Sequence, residues 1–129
     1  MSLMRHSRTS FVVSALLLAA SLPAAAADVE NGKTIFTQRC GICHAVSNAP
    51  GGPVAGPSMV GIVGRKAATV PGFALYSEAL KKSGLTWNVK TLDEFLIMPM
   101  QKVPGTLMPM MLPDAKERGD VIAYMLTLK

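Results

Sequence analysis

The sequence predicts an all-α protein, on three observations. Four segments read as helices: Val29 to Arg39, Tyr76 to Ser83, Thr91 to Met98 and Ala115 to Leu128. No segment alternates apolar and polar residues as a half-buried strand does. The stretches between the helices are broken by glycine and proline, so they read as loops.

In the first helix, Gly32 and Phe36 stand four apart on one face, where a glycine lets another helix come close. From Ala45 to Arg65, Pro50, Gly51, Gly52, Pro53, Gly56, Pro57, Gly61 and Gly64 break any regular element. Gly84 closes the second helix. The third places Leu92, Phe95 and Leu96 on one face, with Pro99 as its stop. From Pro99 to Pro113 the proline density predicts neither helix nor strand. Asp114 is a fitting cap for the last helix, whose apolar stripe is Val121, Ile122, Met125 and Leu128. No internal repeat is present.

Residues 1–27 have the features of a secretory leader. Arg5 and Arg8 give a positive start, Phe11 to Ala20 form an apolar run, and Pro23 to Ala27 supply small residues for cleavage just before Asp28 or one residue earlier. The run of about 10 residues falls well short of the roughly 20 that cross a bilayer as a helix, so no stable membrane insertion is expected. Residues 28–129 then form one mature domain. The 129-residue chain has a formal charge of +5, from 13 basic and eight acidic residues. Loss of Arg5 and Arg8 with the leader leaves 11 basic residues against the same eight acidic ones, or +3. That balance, without a basic run interleaved with aromatics, speaks against a nucleic-acid partner.

Cys40-Gly41-Ile42-Cys43-His44 supplies the chemistry. A C-x-x-C pair followed directly by histidine is the attachment pattern of c-type haem. Two thiols three positions apart reach the two vinyl groups on one haem edge, and the adjacent imidazole falls under the iron. A thioredoxin-like redox pair would need a βαβ setting, which the chain lacks. A structural zinc site needs four ligands, and after removal of the leader, with its His6, only three Cys or His remain. An export signal agrees with haem c, which is attached outside the cytoplasm. About 100 residues rich in glycine and proline bury little apolar area, so a covalent macrocycle is expected to supply the centre. The haem-free chain should be largely unfolded.

His44 is the only histidine after the leader, so a methionine is the candidate for the sixth iron ligand. Met98 and Met125 fall on predicted helices and fit a core role. Met108, Met110 and Met111 lie in the proline-rich loop, and periodicity does not choose among them.

These features resemble the class I c-type cytochromes, the family of mitochondrial cytochrome c and its bacterial relatives, from about Asn31 to Leu128. Gly32-x-x-x-Phe36 is similar to the family's first helix and Cys40 to His44 to its haem motif. Gly56-Pro57 resembles the turn whose proline carbonyl accepts a hydrogen bond from the ligating imidazole. Gly64-Arg65-Lys66 resembles the arginine segment near a haem propionate. Pro71-Gly72-Phe73, Tyr76 and Gly84-Leu85-Thr86-Trp87 follow the family order, with Trp87 and Tyr76 as propionate partners. Pro104-Gly105-Thr106-Leu107-Met108 resembles the axial-methionine loop, which makes Met108 the ligand. Arg118 and Val121 to Tyr124 resemble the last helix, which in the family crosses the first at its glycine. Phe95 stands where the family often has a tyrosine. Met100, Gln101 and Leu107 replace lysines at the haem edge, and Met110 replaces an aromatic.

The resemblance implies an all-α class I cytochrome c fold, with N- and C-terminal helices crossing and loops wrapped round one covalent haem c. It implies a monomeric periplasmic electron carrier, not an enzyme. Its partners would be redox proteins (a cytochrome complex, a terminal oxidase or a dehydrogenase) met by transient docking. The alternatives are a haem protein with an open sixth site, acting as a gas sensor or weak peroxidase, and a haem subunit of a periplasmic dehydrogenase.

Overall fold

A computed structural model describes residues 26–49 and 55–129. Residues 1–25, within the expected leader, and the glycine–proline run at 50–54 lie outside the described residues. Five helices follow one another: α1 (Val29–Arg39), α2 (Glu78–Lys82), α3 (Val89–Ile97), α4 (Pro99–Lys102) and α5 (Ala115–Met125). Among the described residues the only extended pairing is an isolated antiparallel bridge between Lys66 and Thr86. The all-α expectation holds.

Helix boundaries follow local chemistry. The side chains of Asp28, Ser77, Asn88 and Asp114 each accept a hydrogen bond from a first-turn N–H of α1, α2, α3 and α5. In α3 the Thr91 hydroxyl also accepts from the Asn88 N–H, so cap and third residue satisfy each other. That capping starts α3 two residues before the predicted Thr91. The second helix is shorter than predicted: Tyr76 precedes its cap, and Gly84, at a φ of 66°, follows its end.

Two expectations need correction. Pro99 does not only stop α3: it is the first residue of the single-turn α4. Proline lacks an N–H, but the first turn of a helix has no acceptor for one, so the residue that ends one helix can begin the next. Met98, expected in the core, is the exposed junction between the two helices.

Helices α1 and α5 cross at Gly32. A Cβ there would lie 1.9 Å from the backbone oxygen of Asp120, so only glycine allows the observed approach. Ile35 and Phe36 of α1 pack with Val121, Ile122, Tyr124 and Met125 of α5, and Phe36 meets Tyr124 edge-on at 5.5 Å. Leu92, Phe95 and Leu96 of α3 complete the core, with Trp87 edge-on to Phe95 at 5.0 Å.

Asp120, 0% exposed, ties the crossing together. Its carboxylate accepts from the Asp28 N–H at 2.8 Å, from Asn31 Nδ2 at 2.8 Å and from Lys116 Nζ at 2.6 Å. Donation by Lys116, then by the Asp28 amide and Asn31, holds its pKa down to about 2 against the effect of burial.

Candidate haem-binding site

The motif begins where α1 ends. Cys40 caps the helix, its N–H donating to the Phe36 carbonyl at 2.7 Å. The Cys43 and His44 N–H groups both donate to the Cys40 carbonyl, at 3.0 and 2.9 Å. This turn sets both thiols and the imidazole within one short arc. The thiols form no disulfide. Cys40 is buried, and burial pushes its thiol up to about 11, with Arg39 acting in the opposite direction. An apolar pocket that keeps the sulfur uncharged suits a neutral thioether.

His44 is oriented from Pro57. Its Nδ1 lies 2.8 Å from the Pro57 carbonyl oxygen. A carbonyl only accepts, so Nδ1 carries the hydrogen and Nε2 keeps its lone pair. Burial lowers the His44 pKa, opposed by the Pro57 bond, and the ring therefore stays neutral. Gly56 makes the approach possible: a Cβ there would stand 2.4 Å from Cε1 of the ring. The segment is held on the same side by the Gly56 N–H to the Cys43 carbonyl and the Met59 N–H to the Ala45 carbonyl. A neutral imidazole with one nitrogen anchored and the other available, beside two unbridged thiols, fits a covalently attached haem iron.

The three loop methionines differ in setting. Met108 is half-buried and packs against the hydrophobic core, whereas Met110 and Met111 are exposed. Gly105, with a φ of 92°, turns the chain into this segment, and the buried Thr106 closes the turn through its N–H to the Val103 carbonyl. Beyond Met108 the loop is clamped. The Leu112 N–H donates to the Leu96 carbonyl at 2.7 Å, and Arg118 Nη1 donates to the carbonyls of Leu112 and Pro113 at 3.0 and 3.1 Å. Arg118 is 7% exposed and also donates through Nε to Asp93 at 2.6 Å. One guanidinium thus joins α3, α5 and the end of the methionine loop. Neither periodicity nor spacing points to this tie, because Asp93 and Arg118 are 25 residues apart.

Arg65 and Trp87 stand beside the Lys66–Thr86 bridge. The Trp87 N–H donates to the Arg65 carbonyl at 2.9 Å. Arg65 donates through Nη1 and Nη2 to the carbonyls of Val60 and Ser58, at 2.7 and 2.9 Å. It therefore braces the segment that follows Pro57. Burial lowers its pKa, while Tyr76 opposes that shift. The Tyr76 oxygen accepts from the Val70 N–H at 3.1 Å, which leaves the hydroxyl hydrogen for another acceptor.

The helical fold, the crossing at a glycine and the C-x-x-C-H arc with its oriented imidazole define a small haem protein of the c type. The family model described as cytochrome c matches residues 29–129. Cytochrome c of Euglena viridis is 44% identical over 103 residues, which cover 79% of this chain and 98% of that protein. Cytochrome c2 of Rhodomicrobium vannielii is 42% identical over 125 residues, covering 96% of this chain and 97% of that one. The solved structure of cytochrome cH from Methylobacterium extorquens superposes with a TM-score of 0.69 at 39% identity, covering 78% of this chain and 98% of that one. The chain belongs to the cytochrome c family, as a class I c-type cytochrome. It is an electron-transfer protein with one covalent haem c, not an enzyme.

Proposed function

We propose that this chain is a monomeric periplasmic carrier of single electrons, in which Cys40 and Cys43 would carry the haem and His44 Nε2 and Met108 Sδ would hold its iron. The bound haem supplies a reversible ferrous–ferric couple. The protein's task would be to keep His44 and Met108 in place in either state. The Pro57 carbonyl fixes the imidazole ring and its tautomer. The Leu96–Leu112 bond and Arg118 fix the end of the loop that presents Met108.

One observation carries the reading: of the three candidate thioethers in the loop, Met108 alone packs against the core. Met59 is also buried, but its N–H bonds the carbonyl next to His44, which puts it on the histidine side of the site. Tyr76 and Trp87 are the proposed propionate partners, with Arg65 adding positive charge behind them. Export is supported by the leader-like residues 1–27. Among the described residues, no helix is long and apolar enough to cross a membrane. A cytochrome complex, terminal oxidase or dehydrogenase would exchange electrons with the carrier through brief encounters.

The reduced holoprotein exposed to carbon monoxide is the test. Two strong axial ligands leave its spectrum unchanged, and titration shows one reversible electron. Prompt carbon monoxide binding would instead indicate an open sixth site and a sensor or peroxidase.

A further inference from the structure

The segments on either side of the site share a feature that its ligands do not require. From Cys40 to Ala49 there is no charged side chain apart from the titratable His44, and from Ile97 to Pro113 the only one is Lys102. Large apolar side chains stand in water there: Ile42 and Leu107 are each 73% exposed, and Met100, Met110 and Met111 are exposed as well. Apolar side chains concentrated in the two segments that frame a functional site mark an interaction surface.

Arg39, bordering the first segment, and Lys102, inside the second, are both paired within the chain. Arg39, beside Cys40, makes a two-pronged pair with Glu117, at 2.7 and 3.1 Å. Lys102 donates to Glu94 at 2.6 Å, a carboxylate it shares with Lys90. Glu117 stands three residues after Asp114, the cap that follows the methionine loop, so the Arg39 pair also brings the Cys40 arc alongside the loop's far end.

From this arrangement we infer that the chain docks through Ile42, Leu107 and the exposed methionines onto redox proteins whose electron-entry sites are rimmed by apolar, uncharged side chains. The inference rests on the carrier reading and specifies its partners. A partner that relied on acidic groups would find no unpaired cation in the two segments. An apolar rim would gain by removing Ile42 and Leu107 from water. Flexible thioethers adapt to more than one such surface.

A second copy of the holoprotein presents the same rim and serves as the probe. Electron self-exchange is measured by NMR on mixtures of the ferrous and ferric forms. Between about 10 and 200 mM salt the rate should change by less than about threefold, because few charges at the contact can be screened. The Ile42 and methionine methyl signals should be the ones that shift with protein concentration. In the double variant Ile42→Lys, Leu107→Lys, like charges meet at the contact. Exchange should slow by about tenfold or more at low salt and recover as salt is added. Lys33→Glu, on α1 outside both segments, should leave the rate unchanged. A wild-type rate that rises steeply with salt would overturn the inference, as would a double variant that exchanges as fast as wild type. The spectrum and potential of each variant separate the two readings: if wild type lacks methionine ligation, the carrier reading fails, whereas the methyl shifts still report the contact surface.

Discussion

Replacing Gly32 with Ala should separate the two helices on which the fold rests. The added carbon would stand 1.9 Å from the Asp120 oxygen and 2.4 Å from its carbonyl carbon, both backbone atoms that no rotamer change can move. An ordinary carbon–oxygen contact is about 3.3 Å, so α5 must retreat by about 1.4 Å. A gap of even ~1 Å forfeits up to about half of each dispersion contact across it. Applied to Phe36 and Val121, each worth about 2–3 kcal/mol when buried, that is about 2–3 kcal/mol. The bonds from the Asp28 amide and Asn31 to Asp120 also stretch, at a cost of about 1 kcal/mol or more. Alanine recovers about 1 kcal/mol through its helix propensity. The net loss is about 3 kcal/mol, or a fall in Tm of more than about 10 °C for a domain of this size. Helical circular dichroism of the holoprotein during heating and in urea reads it. Gly119→Ala, in the middle of α5, is the control. A Cβ there meets nothing within 4 Å, so the same substitution should stabilise by up to about 1 kcal/mol. If Gly32→Ala melted at or above the wild-type temperature, the close crossing would not have the role given to it.

Asp120 makes stability depend on acid. Its native carboxyl titrates at about 2, against an ordinary 3.8, so its contribution is complete above about pH 4 and is lost as pH falls towards 2. Asp120→Asn should lower the urea midpoint at pH 6 and approach wild type near pH 2; an equal deficit at both would contradict this. Arg118→Gln removes the charged donor to Leu112 and Pro113 and should cost about 2–3 kcal/mol. In that variant the weak far-red absorption that methionine–iron ligation would give the ferric protein should vanish at lower urea than the helical signal, and coincident transitions would dissociate Arg118 from the loop. Gly56→Ala pushes a carbon into the imidazole and should reduce the six-coordinate ferric fraction by about tenfold or more, read from the absorption spectrum.

Where local chemistry decides the outcome, the sequence is a good guide. The span of α1, the apolar face of α3 and the need for glycine at position 32 all follow from spacing and side-chain size. The pairing of His44 with Pro57 is expected from the family resemblance, and the 2.8 Å contact matches it. Pro99 is harder, because the property that ends a helix also suits the start of one. Met98 lies at that junction, and a helical pattern assigns it to a core it does not enter. The roles of Asp120 and Arg118 come from contacts between distant segments, 92 residues apart for Asp28 and 25 for Asp93. Each reads in the sequence as an ordinary charged residue of an amphipathic helix.

The spectrum of the ferric holoprotein, with Met108, Met110 and Met111 changed to Ala one at a time, tests the proposed ligation most directly. If Met108 holds the iron opposite His44, only Met108→Ala loses the weak far-red band and opens the reduced protein to carbon monoxide. The other two variants keep both properties. If Met108→Ala kept the band, or a change at 110 or 111 abolished it, the sixth ligand assigned to this fold would be wrong.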